Sequence, residues 1–195
     1  MSYVLLGSLA FVLLTIYDYL KLKNKGSVKD IFSICGLGLI IVSGIMILIT
    51  SNKIYIHILI RIPSIILSFL FLTLLIYSLF IELPFKSTYT SNKYNEDLVN
   101  TGTYALTRHP GVLWFFLFFL FLFLGTGYTL LVPACIVWTS LDVIHVYIQD
   151  KIFFVKMFKG YKNYQKTTPM LIPNKESIKK CINTIFIGGK THANF

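Results

Sequence analysis

Apolar runs of roughly twenty residues recur along the chain, and they restrict its fold more than any other feature. Inside a bilayer, backbone N–H and C=O groups find no water, so a run that crosses the hydrocarbon core must satisfy them as a helix. Residues 3–20 form the first run, interrupted only by Asp18 near its end, and residues 31–50 form the second. The stretch 54–83 is too long for one untilted span, and Arg61 and Pro63 break it early. It reads as an interfacial lead-in over 54–62 and a third span over 63–83. A polar stretch, 84–109, follows. Helix four then runs from Pro110 to Leu124 and helix five from Thr129 to Phe154, joined by Gly125-Thr126-Gly127-Tyr128. Pro110 suits a first helical turn, where a missing N–H costs nothing. The prediction is an all-α integral membrane bundle of about five transmembrane helices, the last two a helical hairpin.

Composition agrees. Hydrophobic residues make up 55% of the 195 and charged residues only 13%. That is about half the charged share of a soluble domain, which excludes a water-soluble globular class. A net charge of +10 would suit nucleic acid. The basic residues, however, sit in short runs beside apolar segments, where topological anchoring and anionic lipid explain them, so no nucleic-acid partner is expected. Cys35, Cys135 and Cys181 form no paired motif, and no His/Cys set has zinc spacing. Neither a disulfide framework nor a metal is expected. The N-terminus lacks a basic flank and a small-residue cleavage site, so it reads as a retained span rather than a signal peptide.

Lysine counting sets the orientation. Lys21, Lys23, Lys25 and Lys29 fill the first loop; Lys86, Lys93 and Arg108 precede helix four; Lys151, Lys156, Lys159, Lys162 and Lys166 follow the last helix. With five spans, these segments share one side, the cytosol, which leaves the N-terminus outside and the C-terminus cytosolic. Residues 152–166 mix apolar and basic positions at helical spacing, as in a helix that leaves the membrane and turns along its surface. In the tail, Ile178, Ile182 and Ile185 stand among Lys175, Lys179 and Lys180, the pattern of a cytosolic C-terminal interfacial helix or, equally, of a frayed basic tail. One membrane domain, 1–195, is expected, with a three-span region 1–97, a core 98–173 and a basic tail 174–195.

Two clusters carry candidate chemistry. Trp138, Asp142, His145 and Gln149 follow one another at spacings of four, three and four and so line one face of the last helix. Ionisable groups within a span usually face a bundle interior or polar cavity, which makes the stripe a candidate substrate-side surface. The alternative is that Asp142 and His145 satisfy each other or a neighbouring helix. Asp18, between Tyr17 and Tyr19, and Glu82 read as interfacial residues; His57 and Arg61 read as anchors on the opposite side. The second cluster is Thr101-Gly102-Thr103-Tyr104-Ala105-Leu106-Thr107-Arg108-His109-Pro110. A guanidinium and an imidazole at a lipid boundary suit an anionic or carboxylate-bearing ligand, or anchor a helix among headgroups. Gly102 and Tyr104 just upstream favour a shaped loop. No dinucleotide or P-loop turn and no nucleophile elbow is present; Gly188-Gly189-Lys190 lacks the required spacing.

Leu98-Val99-Asn100-Thr101-Gly102-Thr103-Tyr104, then Arg108-His109-Pro110, resembles the core motif of the isoprenylcysteine carboxyl methyltransferase and phospholipid methyltransferase group. Members of that group end the last span with two acidic residues, then a Phe-Gly region, two tyrosines three apart, and a proline leading into Ile-Pro. Here Tyr161 and Tyr164 keep the spacing, Pro169-Met170-Leu171-Ile172-Pro173 closes it, and the acidic pair aligns with Gln149-Asp150. The likeness spans residues 98–173.

The resemblance implies an integral-membrane methyltransferase that takes S-adenosylmethionine at the cytosolic ends of its last helices. A lipophilic small molecule or a prenyl- or lipid-bearing substrate (carboxylate, amine or thiol) would enter from the bilayer, with membrane lipids as further partners. Gly102, Tyr104, Arg108, His109, Gln149, Asp150, Tyr161 and Tyr164 become candidate cofactor-binding positions, with Arg108, His109 and Asp150 the catalytic candidates. Arg108 could fork onto the cofactor carboxylate and Asp150 could accept from an ammonium or hydroxyl. The tyrosines could offer ring faces to adenine or the sulfonium. His109 could hold the donor or relieve an amine of its proton. Three positions depart from the pattern: Val112 and Trp114 replace an aromatic residue and a glycine, and Gln149 replaces the first acid. Two other classes suit such an architecture: a sterol-reductase-like, NADPH-dependent oxidoreductase, and a non-enzymatic membrane scaffold or transporter.

Overall fold

The computed structural model describes residues 1–23, 28–82 and 98–186; Lys25, Lys86, Lys93 and the Gly188-Gly189-Lys190 triplet lie outside the described residues. The helices are α1 Ser2–Leu22, α2 Val28–Thr50, α3 Ile58–Ile76, α4 Thr103–Leu106, α5 Pro110–Thr126, α6 Leu131–Ile148, α7 Phe154–Met157, α8 Tyr161–Thr167 and α9 Lys175–Phe186. α3 and α6 each continue into a widened π-helical stretch, Tyr77–Glu82 and Gln149–Phe153. Four helical stretches, Ser2–Leu22, Val28–Thr50, Ile58–Glu82 and Leu131–Met157, are long and apolar enough to cross a membrane, while α5 is apolar but shorter.

α5 has apolar residues around its whole circumference, so no face of it prefers water. It packs between α3 and α6, and α1 packs between α6 and α2, giving the order α2, α1, α6, α5, α3 across the bundle. Val4, Phe11, Ile47, Phe115, Phe119, Leu131 and Trp138 form the core. Trp138 is fully buried there and its Nε1–H donates to the Val4 carbonyl at 2.8 Å. α1 approaches closely because position 7 is glycine: a Cβ at Gly7 would overlap the Trp138 ring. Outward-facing Ile34, Ile41, Ile49, Leu59, Ile66 and Phe69 are exposed, as suits surfaces that meet lipid. At the bundle end away from α4, the α2–α3 and α5–α6 connections pair: Thr129 N–H donates to Asn52 O and Ile54 N–H to Gly127 O, both at 2.9 Å.

Some sequence-derived boundaries shift. α3 begins at Ile58 rather than residue 63, because His57 caps it by accepting from Leu59 N–H at 3.4 Å. Pro63 therefore lies inside the helix, where its missing N–H forfeits one bond to a first-turn carbonyl. Residues 152–166 do not form one helix, since the extended Phe158 and the left-handed Gly160 (φ 79°) divide them into α7 and α8.

Candidate functional site

The Arg108-His109 motif and the tyrosine segment meet at the end of the last long helix. Backbone pairing sets the register: Arg108 N–H donates to Pro169 O at 2.9 Å and His109 N–H to Met170 O at 3.2 Å. Just upstream, the one-turn helix α4 starts from Gly102 at φ +56°, a left-handed conformation that side chains with a Cβ resist. A Cβ at Gly102 would also overlap the Glu82 carboxylate. Glu82 accepts from Thr103 N–H at 2.6 Å and from the Thr103 hydroxyl, so it caps α4. Tyr104 is buried; its hydroxyl donates to Ser78 O in the first π-helical stretch at 3.1 Å, and its carbonyl accepts from the Tyr164 hydroxyl at 2.5 Å.

Asp150 organises the centre. It is fully buried and takes Arg108 Nε–H on Oδ1 at 2.8 Å and Nη2–H on Oδ2 at 3.1 Å, a two-point grip. The Tyr161 hydroxyl donates to Oδ1 at 2.7 Å, and Gln165 Nε2–H bonds both Oδ2 at 3.0 Å and the Asp150 carbonyl at 2.8 Å. Arg108 Nη1 reaches Gln165 O at 3.0 Å and Thr168 O at 2.5 Å. Four of the five guanidinium N–H groups are thereby engaged within the chain. The fork foreseen for a ligand carboxylate grips Asp150 instead.

His109 is buried with its ring stacked on Phe154 (centroids 5.7 Å apart, 17° between planes). Its Nε2 faces Asp150 Oδ1 at 3.5 Å, the outer limit of a hydrogen bond. Burial lowers its pKa below the usual 6.5 in spite of the pull of Asp150, so the neutral imidazole is favoured. Burial also pushes both phenols up, Tyr161 further by its bond to Asp150, which keeps them protonated as donors. Phe154, Phe158, Tyr161 and Tyr164 form a continuous ring cluster beside them. Thr107 Oγ1 and Thr168 Oγ1, on residues that adjoin or bind Arg108, are buried without a hydrogen-bond partner, and His109 Nε2 has only its long contact to Asp150. Buried polar atoms rarely stay unpaired, so this corner has hydrogen-bonding capacity to offer a ligand.

The helical-face stripe separates into three environments. Trp138 is a core residue. Asp142 is half-buried and makes no hydrogen bond or ion pair among the described residues. His145 and Gln149 face α1. Gln149 Nε2–H donates to Asp18 Oδ2 at 2.8 Å, His145 Nε2 lies 3.5 Å from the same oxygen, and His145 Nδ1 is 3.0 Å from the Thr15 hydroxyl. Asp18 is thus corrected from an interfacial residue to a buried one, 4% exposed. Two polar networks result, and the adjacent residues Gln149 and Asp150 each anchor one of them.

Sequence reading missed Thr15, Asp18, Gln165 and Thr168. Gln165 was accessible, since it sits four residues after Tyr161 and so on the same helical face. Asp18 had no local signal, because its partners lie on another helix. Among the described residues, no three His, Cys, Asp or Glu side chains gather to hold a metal ion. Comparison of the chain with protein-family models, with curated proteins and with solved structures gives no match.

Proposed function

We propose that the chain is an S-adenosylmethionine-dependent integral-membrane methyltransferase for a lipophilic or lipid-anchored acceptor. In this reading it crosses the bilayer five times, with α5 and α6 as a hairpin, the N-terminus outside, and α9 in the cytosolic interface. The reading is carried by one observation: both motif segments converge on a buried site that leaves Thr107 Oγ1 and Thr168 Oγ1 without a hydrogen-bond partner and His109 Nε2 with only a 3.5 Å contact to Asp150. Those atoms suit the ribose hydroxyls and amino-acid end of the cofactor, and the neighbouring rings suit its adenine and sulfonium.

When bound, the cofactor supplies an electrophilic methyl group. Methyl transfer is an in-line displacement, so the chain's task is to position the partners and exclude water. Arg108 and Asp150 act as positioning residues, pinning residues 165–170 over the helix end, and one Arg108 N–H remains for the ligand. His109 is the residue assigned to ligand contact, as a neutral donor or acceptor.

Calorimetric titration with S-adenosylhomocysteine in lipid nanodiscs tests the reading, using wild type and His109→Gln. Arg108→Ala is unsuitable because it also breaks the fold's central pair. Wild type should bind, and loss of one hydrogen bond should weaken His109→Gln about tenfold. Absence of binding to folded wild type, or binding of NADPH in its place, overturns the proposal.

A further inference from the structure

α9 has two working faces, and among the described residues one of them packs against the rest of the chain. Ser177 and Cys181 are buried on the face that packs against α4, and Thr184 Oγ1 on that face accepts the Gly102 N–H at 3.0 Å. That bond holds the left-handed residue from which the motif loop starts. Burial, with the Glu82 carboxylate nearby, raises the Cys181 thiol pKa, in keeping with a docked helix. The helix also has a proper start, where Asn174 Oδ1 accepts from Ser177 N–H at 2.8 Å and Ser177 Oγ from Asn174 N–H at 3.0 Å.

The other face is apolar and half-exposed. Ile178, Ile182 and Ile185 are 44%, 50% and 56% exposed. At about 100° per residue this stripe lies roughly a quarter turn from the packed face. Lys175 and Lys179, both exposed, border it on the side away from α4. A helix of 12 residues is at the margin of stability in water and needs packing to persist. α9 also sits beside Glu82, the last residue of an apolar span, and hence at the level of the membrane surface.

We infer that α9 is a strap docked on an anionic lipid surface. The isoleucine stripe lies among the outermost acyl carbons, Lys175 and Lys179 pair with anionic headgroups, and the Thr184 edge clamps the Gly102 loop. Anionic lipid then tightens the loop of the candidate site; that regulatory consequence rests on the proposed methyltransferase activity, whereas the docking rests only on the placement of α9 at the membrane surface.

The test follows maleimide labelling of Cys181, in a Cys35→Ser/Cys135→Ala background, with no cofactor present. The protein is placed in vesicles of phosphatidylcholine alone or mixed with phosphatidylglycerol. Anionic lipid should slow labelling on the order of tenfold, and added salt should reverse much of the effect. Lys175→Gln/Lys179→Gln should lose the anionic preference, and Ile178→Ser/Ile182→Ser/Ile185→Ser should label fast in both lipids. Neither variant alters Ser177, Cys181 or Thr184, the side chains on the face toward α4. Equal rates in the two lipids, or protection that depends on protein-to-lipid ratio as a second copy would give, overturns the docking. If docking holds while S-adenosylhomocysteine fails to bind, only the methyltransferase reading is lost.

Discussion

Replacing Arg108 by methionine deletes four hydrogen bonds, two of them to Asp150 and the others to the carbonyls of Gln165 and Thr168. Among the described residues Asp150 then keeps Tyr161 and Gln165 as hydrogen-bond donors, and its fully buried carboxylate has lost the guanidinium and faces the His109 ring at 3.5 Å. Breaking a buried pair from one side costs about 3–5 kcal/mol, because the surviving charge cannot return to water. Asp150→Asn strands the guanidinium in the same way. The double variant strands neither charge, so it should be less destabilised than the sum of the singles, with a coupling of about 2–3 kcal/mol. Reversible unfolding in mixed micelles with increasing dodecyl sulfate, followed by tryptophan fluorescence, gives the four free energies. Additive singles of less than about 1 kcal/mol each, the behaviour of a solvated surface pair, would refute the buried grip.

Three further outcomes follow from the same geometry. Gln149→Glu brings a second carboxylate to the Asp18 oxygen now bonded at 2.8 Å; it should destabilise by about 2 kcal/mol, and Asp18→Asn should rescue it in the same assay. Gly102→Ala meets both an unfavourable φ and the Glu82 carboxylate, so a loss of about 2 kcal/mol is expected, with faster amide exchange over 101–106. His109 has its pKa lowered from 6.5 by burial, so the unfolded chain binds its proton first as pH falls. Its contribution to stability is therefore intact above 6.5 and erodes below, down to the depressed folded value; His109→Gln should flatten that part of the stability-versus-pH curve, and an unchanged slope counts against a buried neutral imidazole.

The helices were legible in the sequence because lipid imposes a length and an apolar composition that no packing detail overrides. The meeting of Arg108 with Asp150 was foreseeable only through the family resemblance, since nothing local couples positions 42 residues apart. What could not be read was how the polar groups divide among partners. Asp18 looks like any interfacial acid until α1 is set against the last span, and that depends on Gly7 admitting Trp138. Arg108 looks available to a ligand until four of its N–H groups are counted against carbonyls and a carboxylate contributed by other segments. Loop closure by residues 165–170 is likewise a tertiary event, written in backbone hydrogen bonds that carry no side-chain signature.

The amide at position 149 has a physical role of its own. Gln149 and Asp150 open the π-helical stretch, where the widened turn accompanies two neighbours reaching different partners: Gln149 toward α1, Asp150 toward Arg108 and α8. Such widened turns often mark functional sites. A second acid at 149 would confront Asp18 within a buried interface, where two carboxyl groups lack the donor that now joins α1 to the last helix. An amide donates to Asp18 instead, and ties α1 to the helix that carries the candidate site. Asp18 thus brings a carboxyl group from α1 to position 149, beside His145 and one residue along the helix from the Arg108 grip. Exchanging the pair, Asp18→Asn with Gln149→Glu, should preserve that hydrogen bond and the stability of the fold while moving the carboxylate onto the last span. If the exchanged protein is as unstable as Gln149→Glu alone, the two positions do not share one charge.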